Sequence, residues 1–225
     1  MKTTISFLSL ILIFSACKKN DSDSTPKSDS YVYVNTNAAS SWNYQQTDSS
    51  VATPTTSNYT VTSSPNDTTI NNRKYHVYNY SYGGSQYLSN SGSDYYQFDS
   101  IPVAGGSNIE RLYLEDNIST GNTWTQNFNL TIPDFPLPVS LLVTNKIVEK
   151  GISRTVNGIT YINVIHVSTS LSSSLIPSSS FISAIDSYYA PQFGLIENTS
   201  KINLNYSGLT ENVNTATELM SSDLK

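Results

Sequence analysis

The chain has 225 residues, of which only 13% are charged, and its formal net charge is −5 at pH 7. That acidic balance offers no basic surface for nucleic acid, and a single cysteine rules out an internal disulfide. With 37% hydrophobic residues, 16 tyrosines against 7 phenylalanines, and abundant Ser, Thr and Asn, the composition suits strands with one wet face and not a helical bundle.

Lys2 gives the chain a positive start, residues 5–14 form an apolar run, and the small pair Ser15-Ala16 directly precedes Cys17. As a helix the run spans about 15 Å, half the core of a bilayer, so it reads as a cleaved export signal and not as a membrane span. Phe14-Ser15-Ala16-Cys17 resembles the lipobox of bacterial lipoproteins. The resemblance implies that residues 1–16 are removed, that Cys17 is acylated as the new N-terminus, and that the membrane is a partner through that anchor. The plain alternative is an ordinary signal peptide that ends near a cysteine. Residues 18–30 (KKNDSDSTPKSDS) hold no apolar side chain except Pro26 and read as a disordered tether, with an end-to-end distance of about 20 Å. Its basic-then-acidic order resembles segments that direct some Bacteroidetes lipoproteins to the cell surface; a solvated linker has the same composition. Residues 31–225 suffice for one core and are read as a single β domain.

From Tyr31 onward the hydrophobic period is two. Residues 75–82 (YHVYNYSY) place His76, Tyr78, Tyr80 and Tyr82 on one face of a strand, and Gly83-Gly84 supplies a hairpin turn. Shorter strands are expected at 94–98 and 109–115. After the turn at Gly121-Asn122, residues 123–132 alternate cleanly: Trp124, Phe128, Leu130 and Ile132 against Thr125, Asn127, Asn129 and Thr131. Pro133, Pro136 and Pro138 then forbid a regular central strand, so Phe135 and Leu137 ride on a stiff loop. Those two residues either fold under to plug the sheet or, with Trp124 nearby, line the mouth of a pocket.

Asn157-Gly158 fits a type I′ turn joining arms at 141–156 and 159–167. On the second arm Tyr161, Ile165 and Val167 fall on one face and Ile162, Val164 and His166 on the other. Both faces are apolar enough to be covered. A serine-rich loop is expected at 168–180, with room for one short helix at 179–187, followed by strands near 188–197 and 201–209. Residues 210–225 show no clear period and read as tail, edge strand or brief helix. The fold class is mainly β: a curved antiparallel meander, half-barrel or open barrel, with little helix.

Ser41-Trp42-Asn43-Tyr44, Gly121-Asn122-Thr123-Trp124, the stretch 156–165 (VNGITYINVI) and 188–196 (YYAPQFGLI) are similar, in that order, to phrases found in outer-membrane lipoproteins of Bacteroidetes. Proteins with this layout resemble the half-barrel of the lipoprotein carriers, which implies a curved sheet whose concave side holds something apolar. The carriers wrap their sheet around helices, which this sequence scarcely offers.

Chemistry-bearing constellations are sparse. The two histidines, His76 and His166, are too few for a usual zinc site and read as packed strand residues. Serines are plentiful, yet no Gly-x-Ser-x-Gly elbow marks a nucleophile. Asp94 with Asp99, and Glu110 with Glu115 and Asp116, are the candidate carboxylate pairs, although strand ends and polar faces commonly carry such residues. Glu115-Asp116-Asn117 lacks the spacing of a calcium loop. No catalytic residue, metal or cofactor is therefore assigned. The expected function is a non-enzymatic binding module holding an apolar or glycan ligand, with Trp124, Phe128, Phe135, Leu137, Tyr78, Tyr80 and Tyr82 as candidate contacts. The alternative is a structural or adhesive protein whose partner is another envelope protein, and a hydrolase comes third.

Overall fold

A computed structural model describes residues 31–100, 108–131 and 138–225. Twelve strands follow one another as an antiparallel meander. The first six are β1 (Ser41–Asp48), β2 (Thr55–Ile70), β3 (Arg73–Tyr80), β4 (Ser85–Ser91), β5 (Asp94–Ser100) and β6 (Asn108–Glu115). The second six are β7 (Thr123–Leu130), β8 (Val139–Val156), β9 (Ile159–Ser172), β10 (Phe181–Ala190), β11 (Gly194–Tyr206) and β12 (Leu209–Asp223). The sheet order is β6-β5-β4-β3-β2-β1-β12-β11-β10-β9-β8-β7. β12 pairs with both β1 and β11, so the last strand sits in the middle and joins the two halves. The result is a nearly closed barrel with one seam, between β6 and β7, that no backbone ladder seals.

Expectations at 179–187 and 210–225 are corrected by these strands. Residues 181–190 form a strand, because Phe181, Ser183, Ile185, Ser187 and Tyr189 alternate inward and the serines hide that period. Of the alternatives at 210–225 the strand is the one that forms, but as a central strand and not an edge; its period is hidden for a related reason, since its inward positions include Thr215 and Thr217 beside Leu219. The serine-rich stretch begins as strand, with β9 running to Ser172. The pair expected near 188–197 and 201–209 is divided instead by a turn at 191–193, where Gln192 takes φ of 66° and Gly194 φ of 70°. A Cβ at Gly194 would meet only ordinary contact, 3.5 Å from the Tyr33 carbonyl, so backbone conformation and not crowding favours glycine there.

Asn157 and Gly158 have φ of 46° and 77°, as a type I′ turn requires. Asn163, with φ of 56°, interrupts the alternation of β9, so Tyr161 packs with Val164 and not with Ile165 and Val167. Both faces are covered only at the base of this arm, where Val164, Ile165, His166 and Val167 are buried; toward the tip Ile159 and Ile162 are 45% and 64% exposed.

At the seam no ladder forms, and side chains reach across. Gln126 Oε1 accepts from the Leu112 backbone N–H at 2.6 Å, and the Trp124 indole N–H donates to the Leu112 carbonyl at 2.8 Å. These bonds satisfy an edge that would otherwise invite another strand. One end of the barrel is stopped by residues 31–40, which cross it before β1. Tyr33 is 4% exposed, its hydroxyl donating to the Asn163 carbonyl at 2.9 Å, while Tyr78 donates to the Asn35 carbonyl at 2.7 Å.

Two hairpins outrun their neighbours and bend over the outside. β9 pairs with β10 only from Ile165 to Thr169, and the β8–β9 tip then crosses β10, β11 and β12. Arg154 lies over the Tyr188 ring at 3.8 Å and binds Glu197 through two bonds of 2.8 and 2.7 Å, and Asn157 donates to the Met220 carbonyl at 3.0 Å. The β2–β3 tip does the same over β5 and β6. Arg73 sits over Tyr96 at 3.4 Å and lies 3.3 Å from Glu110, to which Tyr75 also donates.

Candidate functional site

Inside the barrel, between the buried cluster around Leu141, Phe181 and Leu204 and that around Trp42, Tyr78 and Leu219, lies a chamber of about 510 Å³. Its wall is built by the inward positions of successive strands. Planar polar side chains come from β1 (Gln46), β4 (Gln86), β5 (Gln97, Asp99), β6 (Arg111), β8 (Asn145) and β11 (Asn198). Tyr59, Tyr80, Tyr113 and Tyr189 supply rings, and Val143, Leu171 and Ile202 supply apolar surface.

The polar residues are wired in short chains. Arg111 Nη2 donates to Gln97 Oε1 at 3.2 Å and Gln97 Nε2 to Asp99 Oδ2 at 3.0 Å. Across the chamber Thr169 donates to Asn145 Oδ1 at 2.7 Å, and Asn198 Nδ2 donates to Ser187 Oγ at 2.9 Å. Arg111 Nε is buried without a protein acceptor. Tyr113 and Tyr189 face each other with ring centroids 5.3 Å apart, and burial holds both hydroxyls above their usual pKa of 10. Such a surface presents many fixed donors and acceptors beside aromatic faces.

Of the residues expected to touch a ligand, Tyr80 is on the chamber wall. Tyr78 is 2% exposed and packs edge-on against Trp42. Tyr82 is 70% exposed and stacks on Tyr80 at the rim, centroids 5.0 Å apart. Trp124 seals the seam, and Phe128 packs against the cluster of Leu130, Val139 and Leu141. Phe135 and Leu137, like Ile132, Cys17 and the whole of residues 1–30, lie outside the described residues. The polar chamber residues went unnoticed because an Asn or Gln on a strand looks solvent-facing until the strand's inside is known.

A second hollow, a surface groove of about 930 Å³ beside residues 32–38, borders an arrangement with the order of a catalytic relay. Ser63 Oγ and His76 Nε2 are 2.8 Å apart, His76 Nδ1 and Asp67 Oδ1 are 2.8 Å apart, and Lys74 Nζ lies 2.7 Å from Asp67 Oδ2. A nucleophile must reach the carbonyl it attacks, yet Ser63 is 1% exposed, and residues 39 and 40 hydrogen-bond to its backbone. What the network does is span the bulge of β2, whose register shifts between Ser63 and Asp67, and tie its two ends to one imidazole.

His166 stands on the outer face, Nε2 2.9 Å from Asp186 and Nδ1 3.3 Å from Glu149, stacked on Tyr188 at 4.2 Å. The carboxylates do not pair as expected, and Glu110 is held apart by Arg73 and Tyr75. Asp99 points into the chamber, whereas Asp94 faces Glu115 across the β5–β6 ladder at the other end. Burial, then the neighbouring Asp94, raises the pKa of Glu115, and burial raises that of Asp116. The carbonyls of Asp116 and Ile118 accept from the Lys150 ammonium, a cation already seated where calcium would need oxygens. Among the described residues no three His, Cys, Asp or Glu side chains gather to hold a metal, and no helix is long and apolar enough to cross a membrane.

No family model matches the chain, and no curated protein matches it. Among solved structures, the chain is similar to a crystal structure described as "a putative lipoprotein from Parabacteroides distasonis", with 11% identity and a TM-score of 0.48 over 87% of this chain and 100% of that one.

Proposed function

We propose that this chain is a lipid-anchored protein of the bacterial cell envelope that holds a saccharide inside its barrel. The observation that carries the reading is the make-up of the 510 Å³ chamber, whose volume suits a small ligand and whose wall alternates planar polar groups with tyrosine rings. An acyl chain in that space would strip water from Arg111 Nε and from the spare donors and acceptors of wall amides such as Gln46 and Gln97, and would offer them no partner, at a cost of about 1–3 kcal/mol for each atom left unpaired. A polyhydroxylated ligand meets the same groups with donors and acceptors, and its C–H faces stack on the tyrosines. The membrane is the outer one, with the barrel facing periplasm or exterior.

The test is native mass spectrometry, with extraction of bound sugars and lipids, on the full protein purified from its own envelope. The expected result is a co-purifying saccharide whose affinity falls about tenfold in Arg111→Gln, which removes a buried donor lacking a protein acceptor. A co-purifying fatty acid or phospholipid would overturn the saccharide and restore an apolar ligand. A bare mass, with nothing taken up from an envelope extract, would overturn the binding module and shift attention to a protein partner at exposed Tyr82.

A further inference from the structure

Next to the chamber, toward the stoppered end, is a smaller space of about 100 Å³ walled by aromatic side chains that include Trp42, Tyr44, Tyr78 and Phe193. Tyr59, Tyr80 and Gln86 line both spaces and form the boundary between them. Most polar atoms of this annex are already used: Tyr44 donates to the Leu195 carbonyl at 2.8 Å and Tyr78 to that of Asn35 at 2.7 Å, so both present only their rings. Trp42 is the exception. It is 4% exposed, and its indole N–H is buried with no acceptor in the protein. Buried donors are nearly always paired, and a phenylalanine would supply an aromatic wall here without an unsatisfied donor. The indole is therefore a polar group in an apolar box with a bond still to make.

We infer that the annex is a recognition pocket for the terminal pyranose of a saccharide, with one sugar oxygen accepting from Trp42 Nε1. The inference rests on the saccharide reading of the chamber. The annex is smaller than the cavity of about 150 Å³ that holds a benzene ring. One edge of the sugar ring enters it while the remainder lies over Tyr59 and Tyr80 in the chamber, whose rings meet edge-to-face with centroids 6.0 Å apart. The C–H face of the ring meets the tyrosines, Gln86 stands at the boundary for a second hydroxyl, and further sugar units extend along the amides toward Arg111. The chamber thus supplies general affinity for hydroxylated chains, and the annex selects the end residue.

The chain has only two tryptophans, Trp42 and Trp124, which makes the test direct. Full-length protein grown with 5-fluorotryptophan gives two fluorine resonances, assigned by the one lost in Trp42→Phe. If that variant does not fold, Trp124→Phe makes the same assignment by losing the other. The methyl glycosides of glucose, galactose, mannose and N-acetylglucosamine, and the matching disaccharides, are titrated with calorimetry in parallel. The expected result is that at least one glycoside moves the Trp42 resonance saturably while Trp124 stays still. The same sugar then binds Trp42→Phe about five- to tenfold more weakly. Calorimetric binding with an unmoved Trp42 resonance and undiminished affinity in Trp42→Phe overturns the annex and leaves the chamber reading intact. A panel in which no sugar binds overturns both.

Discussion

Trp42 and Trp124 are buried to a similar degree, 4% and 8% exposed, and differ in what their indole N–H does. Trp124 closes a bond of 2.8 Å to Leu112 across the seam, whereas Trp42 has no protein acceptor. Replacing Trp124 by Phe removes a seam bond and leaves a gap, and is expected to lower stability by about 2 kcal/mol in urea unfolding. Trp42→Phe is expected to cost less, because the penalty of an unpaired buried donor goes with the indole. Equal losses would mean that the seam bond contributes nothing. The sequence placed Trp124 on the apolar face of a strand, which is where it lies. Its role as a seal was not legible, because the Leu112 carbonyl that it meets belongs to the preceding strand, β6, which lies at the opposite end of the sheet order and in no ladder with it.

At the scale of elements, the β8–β9 hairpin shows how a strand pair can serve the barrel twice. Its base carries inward residues such as Val143 and Leu171, and its tip turns outward and lies across β10 to β12. Arg154 fastens the tip, stacked on Tyr188 and paired with Glu197, and the side chains are 33% and 16% exposed. Partial exposure weakens the charge contribution, so Arg154→Ala is expected to cost about 1–2 kcal/mol, much of it from stacking. Hydrogen exchange should accelerate at residues 152–164 while β10–β11 stays protected; unchanged exchange there would show that the tip is held by Tyr161, Phe193 and the Asn157 bond alone. The Asn157-Gly158 turn was legible because positive φ at both positions has a residue signature. The fold-over was not, since it depends on a bulge at Asn163 and on partners up to 63 residues away.

For the molecule as a whole, the interior tyrosines predict an alkaline limit to stability. Burial pushes the hydroxyls of Tyr33 and Tyr59 up to about 12, and those of Tyr44, Tyr78, Tyr80, Tyr95 and Tyr113 are also raised by it. An unfolded tyrosine ionises near pH 10. Because the folded values are higher, the contribution of these groups is intact below pH 10 and is lost as pH rises through about 12. Phenolate absorbance and far-ultraviolet circular dichroism should therefore change together in one steep transition above pH 10. A smooth tyrosine titration near pH 10 with the fold unchanged would contradict it. The anchor is tested separately: Cys17→Ser is expected to abolish labelling by radioactive palmitate and release the protein from membranes, and continued labelling would refute acylation at Cys17. The sequence by itself determined the β class, the antiparallel meander, the tight turns and the absence of helical stripes, because period-two alternation and turn chemistry are local properties of the chain. Only the tertiary structure decided that β12 is central, that the β6–β7 seam is closed by side chains, and that Gln, Asn, Thr and Arg111 face inward. Closing the sheet gives each strand a polar inside as well as a polar outside, and once both faces carry Thr and Asn, alternation no longer reports which one is buried.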